Sequence, residues 1–323
     1  SHRRHTRPMV FSRVLLATAL LAAASASVDI NDYVRTPHGY VHGACAHTVP
    51  SGSRIEAHVA GLHVTHPDGQ MRVLPLCPHQ PVWLNREGQP VGSGADLRGA
   101  AGARSVPFPS DYRGWTDYTA FEHDAGFSAF LGNFSVPDKP AEAPDILYIF
   151  TGLQNIDWIP KVDPEPSQAF DIIQPVLQYP GDMGDYWSVK SWYVTLDVGT
   201  VASDEIRIDE IGTTIFGNMT KTGPQEWYVG STVTSSGQTT QVTVNHPRLQ
   251  SQPWAYNTIE CYGCDGCATY PKQPCNFTEL VLLDTNGSPV EATWKANPKP
   301  SKDRQCHESV QTDGSSRVIM FFQ

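Results

Sequence analysis

The sequence predicts an all-β protein, built as a sandwich or a barrel. From about Gly114 onward, short runs rich in β-branched and aromatic residues recur between turn signals. No long segment shows the periodicity of an amphipathic helix, so few helices are expected. Many short strands at this spacing are typical of sandwiches and barrels. The strands predicted in this part of the chain are Gly126–Val136, Ile146–Thr151, Asp171–Gln178, Trp187–Leu196, Glu205–Ile211, Gln225–Val233, Thr239–Asn245, Trp254–Cys261, Thr278–Leu283 and Ser316–Phe322.

A signal peptide is predicted within residues 1–26. The first eight residues are basic and are interpreted as an upstream extension, with Met9 as the natural start. Arg13 supplies the positive charge, Val14–Ala24 the short apolar run, and Ala24-Ser25-Ala26 a small-residue cleavage site. No apolar run reaches the roughly 18 residues needed to span a bilayer. The sequence therefore predicts a secreted protein with a mature start near Ser27 and no membrane partner.

The exported chain divides into three parts on composition. Residues 27–86 contain short β-like runs and are predicted to form a small N-terminal pro-segment or accessory unit. Residues 87–112 are a Gly-rich linker in which Arg98 and Arg104 are possible processing positions. Residues 113–323 form the main β domain. The N-terminal unit carries seven histidines, which are either solvated loop residues or a pH-sensitive segment: His38, His42, His47, His58, His63, His66 and His79.

The net charge of −10 bears on partners rather than on fold. Such an acidic chain without a basic stripe is a poor ligand for nucleic acid, so no nucleic-acid partner is expected. Composition does not indicate an oligomeric state.

Seven cysteines are expected to form disulfides, because export exposes the chain to an oxidising compartment. Cys45 and Cys77 form a natural pair, and the five later cysteines leave one over. Their spacing in Cys261-x-x-Cys264-x-x-Cys267 also resembles a zinc motif, but no paired histidines lie nearby, so disulfides are favoured and no metal is predicted. The later cysteines are Cys261, Cys264, Cys267, Cys275 and Cys306.

The sequons favoured as glycosylation sites are at Asn133, Asn218 and Asn276.

Two strand-like stretches carry unusual polar side chains. In Trp254–Glu260, alternation places Trp254, Tyr256 and Glu260 on one face. In the stretch before Tyr179, Gln174 and Gln178 share a face. Either residue type alone is usually a solvated surface residue. Together, a Glu and a Gln supply what amide hydrolysis needs without a metal: a base for water that later returns the proton, and a neutral donor for the oxyanion.

These stretches resemble motifs of the eqolisins, the secreted glutamic peptidases that are related to the neprosin-like peptidases. The similarity extends over about Phe127–Trp294. Phe127–Pro137 is similar to the first long strand of the family, and Phe150-Thr151-Gly152-Leu153 to its Trp-x-Gly-Ile segment. Ile172-Ile173-Gln174 is similar to Ile-Leu-Gln, Trp192-Tyr193 to Trp-Tyr, and the segment from Ala255 to Glu260 to Ala-Glu-Phe-Ile-Ile-Glu. The neprosin-like peptidases have a second Glu where this chain has Gln174, so the Gln favours the eqolisin type.

The resemblance implies a concanavalin-like sandwich of two curved antiparallel sheets and an endopeptidase active at acid pH without a cofactor. Gln174 and Glu260 match the catalytic pair and are expected to meet across one concave sheet. A polypeptide is the expected substrate. The residues expected to line its cleft are Phe150, Trp192, Tyr193, Trp254 and Tyr256. The alternative is a non-enzymatic, lectin-like sandwich that binds glycans or peptides on the same concave face.

Overall fold

The structure is a computed structural model that describes residues 32–37, 39–79, 82–84, 90–91, 112–156, 171–195, 199–298, 306 and 308–322. The predicted signal peptide, most of the predicted linker with Arg98 and Arg104, and His38 lie outside the described residues. No helix within these ranges is long and apolar enough to cross a membrane.

The described residues form strands connected by turns, as the lack of helical periodicity predicted. The short 3-10 segments are Gly43–Cys45, Pro247–Gln250 and Cys267–Thr269. The strands are β1 (Tyr33–Thr36), β2 (Gly39–His42), β3 (Ala46–Val49), β4 (Ser53–His58), β5 (Gly61–Thr65), β6 (Met71–Pro75), β7 (Val82–Leu84), β8 (Pro90–Val91), β9 (Tyr112–Glu122), β10 (Phe127–Ser135), β11 (Ile146–Gln154), β12 (Asp171–Tyr179), β13 (Trp187–Thr195), β14 (Gly199–Ser203), β15 (Ile206–Ile208), β16 (Thr214–Gly223), β17 (Glu226–Val233), β18 (Thr239–Asn245), β19 (Trp254–Tyr262), β20 (Cys275–Asp284), β21 (Pro289–Val290), β22 (Lys295–Pro298), β23 (Ser309–Asp313) and β24 (Arg317–Phe321).

Two large sheets form a sandwich, and a small sheet is added from the N-terminal part. The front sheet has the order β22-β9-β19-β11-β12-β13-β14-β3, with β15 beside β13. The back sheet has the order β23-β24-β20-β10-β16-β17-β18-β4-β5-β6, with β21 beside β20. The small sheet has the order β1-β2-β7-β8. The all-β sandwich prediction is therefore confirmed. Most pairs are antiparallel, but β14 and β3 are parallel, as are β18 and β4.

The front sheet is buried on both faces, which explains why its central strands have few exposed positions. Its inner face packs against the back sheet through residues such as Ile149, Ile173 and Ile259. Its outer face forms a second apolar cluster that includes Phe150 and Val176. The side chains alternate between the two clusters along each strand because successive strand residues point to opposite faces.

The N-terminal residues contribute to both large sheets. Strand β3 extends the front sheet, and β4, β5 and β6 extend the back sheet. The β1–β2 hairpin lies against the outer face of the front sheet: Tyr262 donates its hydroxyl to the main-chain oxygens of Thr36 and Gly39, at 2.7 and 3.0 Å. Tyr40 of the hairpin meets the Tyr262 ring edge-on at 5.3 Å. That residues 27–86 form a pro-segment stays a prediction.

Three disulfides pair six of the cysteines. The predicted Cys45–Cys77 bond is present within the N-terminal part. Among the later cysteines, Cys261 pairs with Cys264 and Cys267 with Cys306. The residue left over is Cys275, which is buried as a free thiol at the start of β20.

Candidate functional site

The outer face of the front sheet presents its side chains in rows that run across four neighbouring strands. Each row takes one residue from β19, β11, β12 and β13 in turn, because directly paired residues share a face. The Glu260 row contains Glu260, Tyr148, Gln178 and Ser188. The next row contains Thr258, Phe150, Val176 and Lys190. The Gln174 row contains Tyr256, Gly152, Gln174 and Trp192, with Gln174 reaching the position opposite Gly152 by the register on either side of it.

Gln174 and Glu260 share the outer face but do not lie in the same row. Strand β11 lies between their strands, and the Thr258 row lies between their rows, so the two residues are two row steps apart along the strand direction. At the usual strand dimensions this is about 10 Å across the sheet and about 13 Å along it. The expectation that the two side chains meet is therefore wrong. A shift of four residues along a strand leaves a side chain on the same face, so the alternation that placed both on one face could not reveal the offset.

The register gives each of the two residues a different row partner. Tyr256, not Glu260, is the β19 residue in the row of Gln174. The amide in the row of Glu260 is Gln178 on β12. Sequence reasoning placed Gln178 on the same face as Gln174 but gave it no role, since it matches no family motif.

Glu260 is completely buried, and Tyr148 on β11 is its directly paired residue. Burial raises the pKa of the Tyr148 hydroxyl well above its ordinary value, and the charges of Glu260 and Asp182 raise it further. That hydroxyl donates to the main-chain oxygen of Arg35 on β1, at 3.1 Å. The Arg35 guanidinium in turn forms an exposed ion pair with Asp145 at 2.9 Å. The hairpin and the Glu260 row are thus connected by polar contacts.

Gln174 is also completely buried, yet neither its amide nitrogen nor its oxygen bonds to any residue that the structure describes. The same holds for both amide atoms of Gln154, further along β11, and for Nε1 of Trp192, opposite Gln174. Buried polar groups are nearly always hydrogen-bonded in proteins. A group of them without protein partners on one face is typical of a surface that binds a polar ligand.

Aromatic side chains flank these polar groups. The Trp254 and Tyr256 rings are stacked, with centroids 6.2 Å apart. Trp115 meets the edges of Tyr256 and Phe150 at 4.9 and 5.8 Å. Four of the predicted cleft residues, Phe150, Trp192, Trp254 and Tyr256, therefore lie on the outer face.

Tyr193 does not belong to this face, although it was predicted to line the cleft. It alternates to the inner face, where it is buried in the core between the sheets. Its hydroxyl donates to the carboxylate of Asp171, at 2.5 Å, and Arg248 forms an ion pair with the same carboxylate. The Trp192-Tyr193 motif spans two adjacent strand residues, so its two rings must point in opposite directions.

Two charged residues beside the Glu260 row were missed by the sequence analysis. Lys190 lies next to Trp192 on the outer face, and its ammonium forms an ion pair with Asp182 in the turn after β12. Asp182 also accepts a hydrogen bond from Nε2 of Gln178 at 3.1 Å. Period-two alternation places Lys190 on this face, but a lysine in a strand is usually solvated, so it gave no signal.

The predicted glycosylation sites lie on strands of the back sheet. Asn133 donates to the carboxylate of Glu279 at 2.7 Å, and Asn218 accepts from the Thr220 hydroxyl of its own sequon at 2.6 Å. Asn276 donates to the main-chain oxygen of Pro274. Their glycosylation stays a prediction.

Within the described residues, no group of three or more His, Cys, Asp or Glu side chains could hold a metal ion.

The chain matches no family model and no curated protein sequence. Among solved structures, it is similar to SCP-B, a member of the eqolisin family of peptidases in complex with the tripeptide Ala-Ile-His, with 14% identity and a TM-score of 0.46. It is also similar to scytalido-glutamic peptidase with a peptide-based transition state analog, with 15% identity and a TM-score of 0.47. Each match covers 64% of this chain and 98% of the other. Because both TM-scores are below 0.5, the likeness says nothing about activity, and the site must be judged on its own residues.

Proposed function

We propose that this protein is a peptide hydrolase of the glutamic type, with its chemistry centred on Glu260. The supporting observation is a completely buried carboxylate on the same sheet face as the completely buried amide of Gln174, which bonds to no described residue. The sequence motifs shared with the eqolisins point to the same pair of residue types. A carboxylate and an amide on one enclosed face are the minimum set for metal-free amide hydrolysis.

In this proposal Glu260 takes a proton from the attacking water and returns it to the leaving nitrogen. The oxyanion needs a hydrogen-bond donor close to the carboxylate, and Gln178 is the amide in the same row. One N–H of its Nε2 group donates to Asp182, which leaves the second N–H for the substrate. Gln174, two rows away, is better placed to hold the substrate main chain further along the face.

The N-terminal hairpin keeps this site closed in the full chain. Tyr148, which pairs directly with Glu260 on β11, and Tyr262, two residues after Glu260 on β19, both bond to the hairpin main chain. The proposal therefore includes a latent form, in which residues 27–86 act as the pro-segment and the active form arises after a cut in the segment that follows them.

The alternative proposal is a non-enzymatic module that binds a glycan or a peptide on the outer face. It is favoured by one observation: the two-row offset between Gln174 and Glu260 separates the predicted catalytic pair by more than one peptide unit. The stacked rings of Trp254 and Tyr256 would suit a sugar as well as a peptide.

Hydrolysis of an acid-denatured protein, measured after cleavage of the linker, separates the two proposals. The variant Glu260→Gln keeps the size of the side chain but cannot accept the proton of water, so hydrolysis should fall to background. The matched control is Glu210→Gln, at an exposed position after β15. Absence of hydrolysis by the wild-type chain across the acid range would favour the binding module.

A further inference from the structure

Lys190 is an unusual residue of the outer face because its ammonium is nearly enclosed. Its side chain is only 5% exposed, whereas that of its ion-pair partner Asp182 is 44% exposed. The ammonium also lies 5.8 Å from the centre of the Trp192 ring, within the range of a cation–π contact. Lysine is almost never this buried unless it is paired.

Several polar atoms around Lys190 bond to no residue that the structure describes. They include acceptors, Oε1 of Gln178 and Oγ of Ser188, and a donor, Nε1 of Trp192. All three side chains are more than nine-tenths buried. The ammonium carries three N–H donors, and Asp182 is the one partner seen for them among the described residues.

The charge of this cluster decides which ligand it suits. The Lys190 and Asp182 charges cancel, so an ionised ligand would lose its hydration without gaining a free countercharge. A neutral group that both accepts and donates hydrogen bonds avoids that loss. An amide does this, because its oxygen can accept from Lys190 and Trp192 while its N–H groups donate to Gln178 and Ser188.

We propose that Lys190, Trp192, Gln178 and Ser188 form a subsite for an uncharged amide of a bound peptide. This inference rests on the proposed function, which supplies a peptide as ligand. The amide comes either from a Gln or Asn side chain or from the peptide main chain. Because the turn that carries Asp182 is exposed and borders the cluster, we infer that the ligand enters from that side.

Titration calorimetry of the full chain at about pH 6 tests the subsite with acetylated pentapeptide amides that carry Gln, Glu or Leu at the centre of an alanine sequence. A Glu side chain is ionised at this pH. If the subsite takes a side-chain amide, the wild type should bind the Gln peptide about tenfold more tightly than the other two, the gain expected for hydrogen bonds to a charged group. If it takes a main-chain amide, the three peptides should bind the wild type equally. The variant Lys190→Met should lose this preference, because it keeps the length of the side chain without its donors.

The matched control is Lys139→Met. Lys139 pairs with Asp185 in the same turn, but both side chains are exposed. The affinities of Lys139→Met for the three peptides should equal those of the wild type. Lys190→Arg, which retains the charge, checks that a loss in Lys190→Met does not come from misfolding, and circular dichroism of each variant checks the same point.

The outcomes distinguish the two sources of the amide. Loss of a Gln preference in Lys190→Met assigns the subsite to a side-chain amide, and an equal loss for all three peptides assigns it to the main chain. Unchanged affinities in Lys190→Met, tighter binding of the Glu peptide, or binding of cellohexaose that depends on Lys190 would each overturn the inference. Because no turnover is needed, a chain that binds but never hydrolyses would refute the proposed hydrolase and leave the subsite standing.

Discussion

Tyr262, the last residue of β19, donates its hydroxyl to the main-chain oxygen of Thr36, 2.7 Å away on the N-terminal hairpin. The same hydroxyl reaches the oxygen of Gly39 at 3.0 Å. Tyr262 is completely buried, and the Gly39 oxygen also accepts from Oγ1 of Thr36 at 2.9 Å, so the Thr36 oxygen is the one that depends on the tyrosine. This tyrosine connects the hairpin to the strand that carries Glu260.

Tyr262→Phe should therefore loosen the hairpin selectively. The Thr36 oxygen loses this donor, at a cost of about 1–3 kcal/mol for a buried unsatisfied group, whereas the Gly39 oxygen keeps its hydrogen bond from Oγ1 of Thr36. We expect faster hydrogen exchange in residues 33–42 and faster limited proteolysis there. Tyr228→Phe is the control, since its hydroxyl bonds to Gln241 on the back sheet. Equal exchange in both variants would show that Tyr262 does not hold the hairpin.

Alanine substitutions at the two glutamines should rank the oxyanion donors. Loss of one such donor costs about 10²–10³ in kcat in well-studied enzymes. Gln178, in the row of Glu260, should lose kcat when replaced. Gln174→Ala should mainly raise KM, because Gln174 lies two row steps from the Glu260 carboxylate. The opposite ranking would mean that the family motif locates the donor better than the register does.

Asp171 gives a pH dependence of stability with a definite sign. Burial raises its pKa from 3.8 to about 7, more than the nearby Arg248 and Tyr193 lower it. Between these two values the folded chain binds more protons than the unfolded chain, so stability should fall as the pH rises from about 4 to about 7.

This slope can be isolated by comparing melting temperatures of the wild type and Asp171→Asn across that range. The variant should show a flatter profile because the titrating group is gone. Asp209→Asn is the control, since its ion pair with Arg207 is exposed. A wild-type profile that rises with pH relative to Asp171→Asn would contradict the assignment.

The cysteine pattern predicts one slowly reacting thiol per chain. Cys275 is buried, and burial raises its pKa well above the ordinary value, so little of the reactive thiolate forms. Iodoacetamide should label no cysteine in the native chain and only Cys275 after unfolding without reductant. Mass spectrometry of the labelled peptides would detect any other free cysteine, which would contradict the three disulfides.

Much of the fold could be predicted because the strands carry local signals. The predicted strand at Thr239–Asn245 agrees with β18, and most others agree to within a few residues. Strand β16 was missed because few apolar residues mark its alternation. Asn218 and Thr220 occupy partly exposed positions, and the buried position between Ile215 and Met219 is Gly217. Strand β9 was missed for a similar reason, since Asp117 interrupts its aromatic residues.

The site was predicted less completely, and the reason is geometric. Alternation gives the face of a side chain but not its height along the strand, which depends on pairing with distant strands. Gln174 and Glu260 were therefore placed on the correct face and in the wrong relation. The ion pair between Lys190 and Asp182 depends on a turn, and no sequence periodicity reports such a contact.

The parallel pairing of β3 with β14 and of β4 with β18 affects what a cut in the linker can achieve. The Cys45–Cys77 bond closes within the N-terminal part and does not tie it to the rest. A nicked protein should therefore run as a single particle in native size-exclusion chromatography and as two chains on a denaturing gel. If the N-terminal chain then departs, β14 and β18 each become an unpaired sheet edge, a surface on which other chains can add strands. The separated main domain should be more prone to self-association than the intact chain, so the N-terminal strands also protect its solubility.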